Sequence, residues 1–244
     1  MTHDIRIMSE QPPEPTRDAD AEATPASPRV RVRRHADRAR YDRETVDAIL
    51  DSALVCHLGV IVDGEPLVLP TGFGRAGHTL YLHGAAANRS LRAALDGACL
   101  TVTHVDGLVL ARTLLNHSMN YRSVVVRGRG RLVTDARERL IAMRAIVEHA
   151  IPGRWDEARA PSDAELAMTA VIAIDLDQVS AKVRSGPPVD PEDDLGLPAW
   201  AGEVPLRLTA DAPRPDPRLV GAVPEPLSVA GLRRRFASEP PAHD

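Results

Sequence analysis

Apolar residues at Val46, Ile49, Leu50, Ala53 and Leu54 recur with helical spacing, and Asp42 ahead of them can cap a first turn. A helix is therefore expected from Asp42 to about Ala53. The period then changes. LVCHLGVIV (Leu54 to Val62) reads as a strand, Asp63-Gly64 as a hairpin turn, and Pro66 to Thr71 as the returning strand. GFGRAGHT (Gly72 to Thr79) reads as a glycine-rich turn into another strand, in which Leu80 and Leu82 alternate with Tyr81 and His83. That strand breaks at Gly84 and three alanines. A short helix follows, with Asn88 as N-cap, Leu91, Ala94 and Leu95 on its apolar face and Gly97 as its stop. Cys99 to His104 is a strand that ends in a turn at Asp106-Gly107. Leu108 to Tyr121 shows no clear period and reads as partly helical.

Ser123 to Val133 reads as one long strand, bulged or bent at Gly128 and Gly130. Ala136 to Ile151 predicts a helix with Leu140, Met143, Ile146, Val147 and Ala150 on one face, ended by Pro152-Gly153. Ser162 and Glu165 have capping-box spacing for a minor helix reaching Thr169. Strands are expected at Val171 to Leu176 and Val179 to Arg184, then an acidic loop from Ser185 to Asp194 and an extended segment from Trp200 to Leu208. Many short strands with tight turns and few helices predict a mainly β fold, an antiparallel split barrel with flanking helices. A parallel α/β sheet is the alternative; the Asp-Gly turns between neighbouring strands argue against it, because parallel pairs need long crossovers. Residues 1–28 are rich in Pro, Glu, Asp, Ala and Thr without periodicity and are expected to be disordered. Residues 29–208 form the fold, and 209–244 read as a flexible, proline-rich tail.

Composition changes the picture in two places. The chain has 244 residues with 43% hydrophobic but only 3% aromatic, so Val, Leu, Ile and Ala must build the core. A net charge of −4 gives no electrostatic case for nucleic acid or an anionic membrane. The two cysteines, Cys56 and Cys99, lie in strands without metal-ligand spacing and read as free thiols in a reducing compartment. The start of the chain lacks a secretory signal pattern and no apolar run reaches membrane-spanning length, so a cytoplasmic protein is expected.

The short helix after Asn88 carries Arg89 and Arg92 in its first turn and Asp96 in its last, so both ends bear the sign that the helix dipole disfavours. A bound phosphate would relieve this, accepting from backbone N–H groups, from Asn88 or Ser90, and from an arginine. Solvated surface charge is the other reading.

LPTGFG (Leu69 to Gly74), the Leu80 to Leu95 stretch, DGLVLAR (Asp106 to Arg112), HSMNYRSVVVRG (His117 to Gly128), SAKVRSGPP (Ser180 to Pro188) and PAWAGEVPL (Pro198 to Leu206) occur in that order. In this the chain resembles the pyridoxamine 5′-phosphate oxidase-like FMN-binding split barrels, and within them the nitroimidazole-resistance-like branch, from about Arg33 to Leu208. The resemblance implies a homodimer with FMN at the interface. It places Pro70, Thr71 and Gly72 by the flavin ring, Leu82, His83 and Gly84 by the ribityl chain, and Asn88 and Arg89 by the phosphate. Tyr121, Arg122 and Ser123 would line the site, with Lys182, Arg184 and Trp200 closing over it. Serine often stands where this chain has Asn88. Basic residues for a vitamin B6 phosphate are not recognisable, so oxidation of vitamin B6 is not expected.

His83 is the candidate acid or base; it reads equally as a strand histidine satisfied by hydrogen bonds. His57 and His104 lie on strands without paired ligand spacing. His117 precedes the Asn120-Tyr121-Arg122-Ser123 motif and reads as a cap or packing residue as readily as a site residue. Arg122 reads also as an interface ion pair, Trp200 as a tail anchor, and Lys182 as part of a solvated face. No nucleophile elbow, Walker loop or dinucleotide fingerprint occurs. The expected function is therefore an FMN-dependent oxidoreductase acting on a small-molecule acceptor, with an external electron donor. The alternatives are a flavin- or haem-binding module without turnover and a reductase using F420.

Overall fold

The computed structural model describes residues 24–237. The first helix, α1 (Arg43–Ser52), starts where Asp42 accepts from the Thr45 N–H at 2.8 Å and buries Val46, Ile49 and Leu50. It packs on two strands of the larger sheet, β7 (Ser118–Gly128) and β10 (Val179–Arg184). Strands β2 (Cys56–Val62) and β3 (Glu65–Thr71) form the expected hairpin. Asp63 and Gly64 both take positive φ, 54° and 84°, as a type I′ turn demands.

The described residues form two antiparallel sheets with flanking helices. The seven-stranded sheet runs in the order β1 (Ala39–Arg40), β10, β7, β6 (Ala98–Leu110), β2, β3, and β11 (Gly202–Pro205) joins it on β6. The four-stranded sheet runs β4 (Gly74–Ala76), β5 (Thr79–Ala85), β9 (Thr169–Asp175), β8 (Arg131–Leu132). Every recorded strand pairing is antiparallel, which removes the parallel-sheet alternative. The sheets face one another across a core of Leu58, Leu100, Val102, Val124 and Val126 on one side and Leu80, Leu82, Ile172 and Ile174 on the other. Each such side chain contributes about 1.5–3 kcal/mol on burial. Helices α1 and α2 (Arg89–Ala93) add Ile49, Leu50, Leu91 and Ala94 to the same core.

A second cluster joins Tyr81, Val171 and Ala173 of the smaller sheet to helix α3 (Ala136–Ala150). Here the predicted helix face is rotated. Ala142 and Ile146 are buried, whereas Leu140 is 47% exposed. The cause is close approach: a Cβ on Gly74 would lie 2.4 Å from the Ala145 carbonyl carbon. Only the small-residue face of α3 can come this near to β4 and β5.

Other expectations need correction. Asp106-Gly107 is no chain reversal; β6 continues through it, with the register shifted between Val105 and Gly107 as at a β-bulge. Both edges of β6 are paired there, so the ladder overrides the local turn preference. The strand predicted to reach Val133 ends at Gly128, and after Gly130 the chain enters the other sheet as β8. Helix α2 ends at Ala93 with Ala94 as C-cap, and Gly97 is not among the positive-φ residues, so it is no αL stop. The Gly72 to Thr79 stretch contains β4. Leu108 to Tyr121 is mostly strand around a single 3₁₀ turn, Leu114–Asn116.

Helix α4 (Asp163–Met168) has the predicted Ser162/Glu165 capping box. The C-terminal stretch, read from composition as a tail, includes α5 (Leu227–Arg235). Arg235 donates to the carbonyls of His149 at 3.0 Å and Asp51 at 2.8 Å. Most of the expected N-terminal disordered segment lies outside the described residues.

Candidate cofactor site

Alternation along the strands sorts the candidate residues by face. Leu58, Val102 and Val124 point into the core, so their neighbours in sequence point outward from the seven-stranded sheet. Pro70, His57, Thr101, Val125 and Ser180 then form one outward cross-strand row. Thr103, Ser123 and Lys182 form the next, and Val105 pairs with Tyr121 beyond it. Four candidates from three strands, Pro70, Tyr121, Ser123 and Lys182, thus share one outer face. Ser123 Oγ donates to the Lys182 carbonyl at 3.4 Å, and Lys182 Nζ donates to the Arg34 carbonyl at 3.0 Å. Thr71 has the inward parity of β3, and Gly72 is exposed just past the strand end.

Arg122 lies on the other face of β7. Its guanidinium forks onto the Asp106 carboxylate at 2.8 and 2.9 Å, where the irregularity in β6 presents that side chain. The hydrogen bond to Asp106 pushes the arginine's pKa further up.

The β5–α2 candidates form a separate group. Leu82 is fully buried in the core, so its side chain cannot line a surface site. His83 next to it is exposed. At Gly84 a Cβ would lie 2.8 Å from Leu91 Cδ1 and 3.2 Å from Asn88 Nδ2, so glycine is what lets β5 pass under the helix start. Asn88 Oδ1 accepts from the N–H groups of Ser90 at 3.0 Å and Leu91 at 3.2 Å. The disfavoured charges also have local partners. Arg89 pairs with Asp63 at the hairpin tip, both side chains about 70% exposed, and Arg92 reaches back to the Ala86 carbonyl at 3.0 Å.

A polar network that sequence reasoning missed closes the end of β6, β7 and β10. Arg184, buried, donates to Asn120 Oδ1 and to the carbonyls of Gly186 at 2.9 Å and Pro187 at 3.0 Å. Asn120 donates in turn to Glu203 of β11. The Asp190 carboxylate, with no exposed side-chain surface, accepts from the Arg112 backbone at 3.1 Å and from its guanidinium at 3.0 Å. Burial works against that charge, but the Arg112 contacts outweigh it and hold the carboxyl below its ordinary value. These partners lie 64 to 83 residues apart in sequence, and only the oxidase-like motifs around them marked the region. Trp200 is 66% exposed and lies over Gly202, where a Cβ would come within 2.8 Å of its ring.

His57 and His83 carry exposed rings without a hydrogen-bond partner among the described residues. His117 differs: its Nδ1 accepts from the Ala111 N–H at 2.9 Å, which leaves the proton of the neutral ring on Nε2. His104 Nε2 faces Ser52 Oγ at 3.1 Å, inside the fold. Among the described residues no group of three or more His, Cys, Asp or Glu could hold a metal ion. No described helix is long and apolar enough to cross a membrane.

Residues 42–183, more than half of the chain, match the pyridoxamine 5′-phosphate oxidase family model, and the chain belongs to that family. Its structural relatives include the flavocytochrome Anf3 from Azotobacter vinelandii, 41% identical over 87% of this chain and 99% of that one, with a TM-score of 0.82. The FAD and haem binding protein from Mycobacterium smegmatis is 35% identical over 80% of this chain and 97% of that one, with a TM-score of 0.76. A Bacteroides thetaiotaomicron structure named for 5-nitroimidazole antibiotic resistance is 25% identical over 59% of this chain and 86% of that one, with a TM-score of 0.51. No curated protein sequence matches the chain.

Proposed function

We propose that this protein is a flavin-binding split-barrel homodimer that also takes a haem, and that it works as an electron-transfer module. One observation carries the reading: the relatives that match nearly all of their own length, at 41% and 35% identity, are a flavocytochrome and an FAD and haem binding protein. The nitroimidazole-resistance placement rests on a shorter and more distant match. The residues present fit a flavin. The outer face offers Pro70, Tyr121, Ser123 and Lys182 around small side chains, and the exposed Arg89 stands at the helix start for a phosphate. They fit a haem as well, because His57 and His83 keep ring nitrogens free for an iron, whereas the Nδ1 of His117 is taken up by the Ala111 N–H.

When bound, the two groups supply the redox chemistry. The chain's own part is to seat them: Lys182 and Arg89 set positive charge near the flavin, Tyr121 and Pro70 give it apolar surface, and a second copy shields the face from water. His83, exposed and without a hydrogen-bond partner among the described residues, would move the proton should the protein turn over a small acceptor with an external donor; this is the second reading. The test is an absorption spectrum of the full-length protein purified from cells supplied with riboflavin and haem precursor. A flavin envelope together with a Soret band is expected, and His57→Ala or His83→Ala should remove or shift the Soret band. Flavin alone, with no haem uptake on titration, would leave the oxidoreductase reading; binding of neither ends both.

A further inference from the structure

We propose that the arginine-rich arm at the edge of the larger sheet docks a small acidic redox protein, which delivers electrons to the bound flavin. The inference rests on the flavin reading above and names the class of external donor that reading leaves open. Six arginines fall within residues 29–40 against one acid, Asp37. The arm runs along β10. At one end Ser27 bonds Gln178, and Arg127 donates to the Arg29 carbonyl at 3.0 Å. At the other end Lys182 Nζ donates to the Arg34 carbonyl at 3.0 Å. Between them Val30 is buried and the Val32 N–H donates to Tyr41 Oη at 2.8 Å. The chain then turns back through Ala36–Arg38 and pairs with β10 as β1, the edge strand of the sheet.

The backbone of the arm is thus fixed while its charges are left free. Arg29, Arg31, Arg33 and Arg34 are exposed, and their guanidinium groups make no hydrogen bond or ion pair among the described residues. Like charges held this close repel one another, and an acidic surface laid on them removes that cost. Because the backbone is already ordered, little entropy is lost on docking. Exposed ion pairs are individually weak, so the arm acts chiefly by steering, which speeds encounter and orients the partner. Its position gives the steering a purpose. Lys182, which anchors the arm, shares the outer face with Pro70, Tyr121 and Ser123, so a partner on the arm stands beside the proposed seat of the flavin. The step is electron transfer: the partner's reduced centre is oxidised, the flavin is reduced, any proton it takes comes from water, and no bond of the chain forms or breaks. A nucleic acid fits the arm less well. Residues 29–40 include no Phe, Tyr or Trp on which bases could stack, and a net charge of −4 repels a long polyanion.

The test uses a plant-type [2Fe–2S] ferredoxin, a small acidic one-electron carrier, as the probe. Its binding to the full-length protein is followed by fluorescence anisotropy, and flavin reduction by the reduced ferredoxin by anaerobic stopped-flow absorbance. The variants change Arg31, Arg33 and Arg34 together, to glutamate or to lysine. The wild-type rate constant is expected to fall steeply between about 0.01 and 0.15 M salt, as the Debye length shortens from about 30 to about 8 Å. At low salt the triple glutamate variant should lower both affinity and rate roughly ten- to hundredfold. The triple lysine variant should stay near wild type, and flavin content and thermal midpoint should be unchanged in both. If the glutamate triple fails to fold, Arg33→Glu alone, expected to slow the reaction about two- to fivefold, decides. A rate independent of salt, or wild-type binding and rate in the glutamate variant, would overturn the proposal. So would loss of flavin or haem from that variant, which gives the arginines to the cofactor seat, or tighter arm-dependent binding of a single-stranded oligonucleotide than of ferredoxin. A wild type that holds no flavin would instead defeat the flavin reading, and ferredoxin binding to the apoprotein then decides the docking surface by itself.

Discussion

Arg89 has two competing partners in this reading, and their magnitudes decide between them. Its bond to Asp63 is exposed on both sides, so the pair contributes about 0–1 kcal/mol. A charge-assisted hydrogen bond to a phosphate is stronger, about 1.5–3 kcal/mol. An incoming phosphate therefore displaces Asp63. Arg89→Ala is expected to raise the Kd for FMN roughly ten- to hundredfold, to leave riboflavin affinity unchanged, and to move the thermal midpoint little. Titration of the variant with both ligands checks this; unchanged FMN affinity would return Arg89 to the solvated surface. Cys56 stands at the opposite extreme of availability. Burial pushes its thiol up to about 12, so it stays protonated and inert in the native chain.

At the scale of elements, β11 and the loop before it form a strap over β6, held by Asp190 on Arg112 and Glu203 on Asn120. The Asp190 carboxyl is depressed in the folded state, so its contribution is present above the ordinary aspartate value of about 3.8 and is lost as pH falls through the lower folded value. Amide protection in Gly202–Val204 is accordingly expected to fall as pH drops below that value, before the β6–β7 ladder opens. Arg112→Ala should show the same weakness at neutral pH. Uniform opening of both ladders in acid would remove the strap's separate status.

The local signals along these elements were legible in the sequence. Asp42, Asn88, Asp63-Gly64 and the Ser162/Glu165 box act on chain within a few residues, and the structure uses each as read. Misreadings came where a distant neighbour decides. Asp106-Gly107 looks like a turn but is clamped between two strands, and Leu140 looks like core but gives way to Ala142 and Ala145 under Gly74. The outer face was reached only through family motifs, since sharing a face depends on which strands pair. Arg184, Asn120 and Glu203 carry no local pattern at all.

For the whole molecule, exposed apolar surface points beyond one chain. Leu114 and Leu115 at the β6–β7 turn are 87% and 97% exposed, with Leu108 and Met119 half exposed beside them. A second copy is the proposed cover. Light scattering at micromolar concentration is expected to give a dimer, and Leu114→Lys with Leu115→Lys a monomer with weakened flavin binding. A wild-type monomer that still binds flavin tightly would show each site to be built from one chain.

The two-sided use of β6 also bears on biogenesis. Its far half, Gly107–Leu110, is paired on one edge by β7 and on the other only by β11, almost a hundred residues later. During synthesis that second edge leaves the ribosome long before its partner exists, with a continuous apolar run, Leu108 to Leu110, and open backbone groups. A ribosome that stalls, or a message cut short, before Gly202 therefore releases a chain with an adhesive edge. Pairing of β11 on β6 is the step that closes that edge.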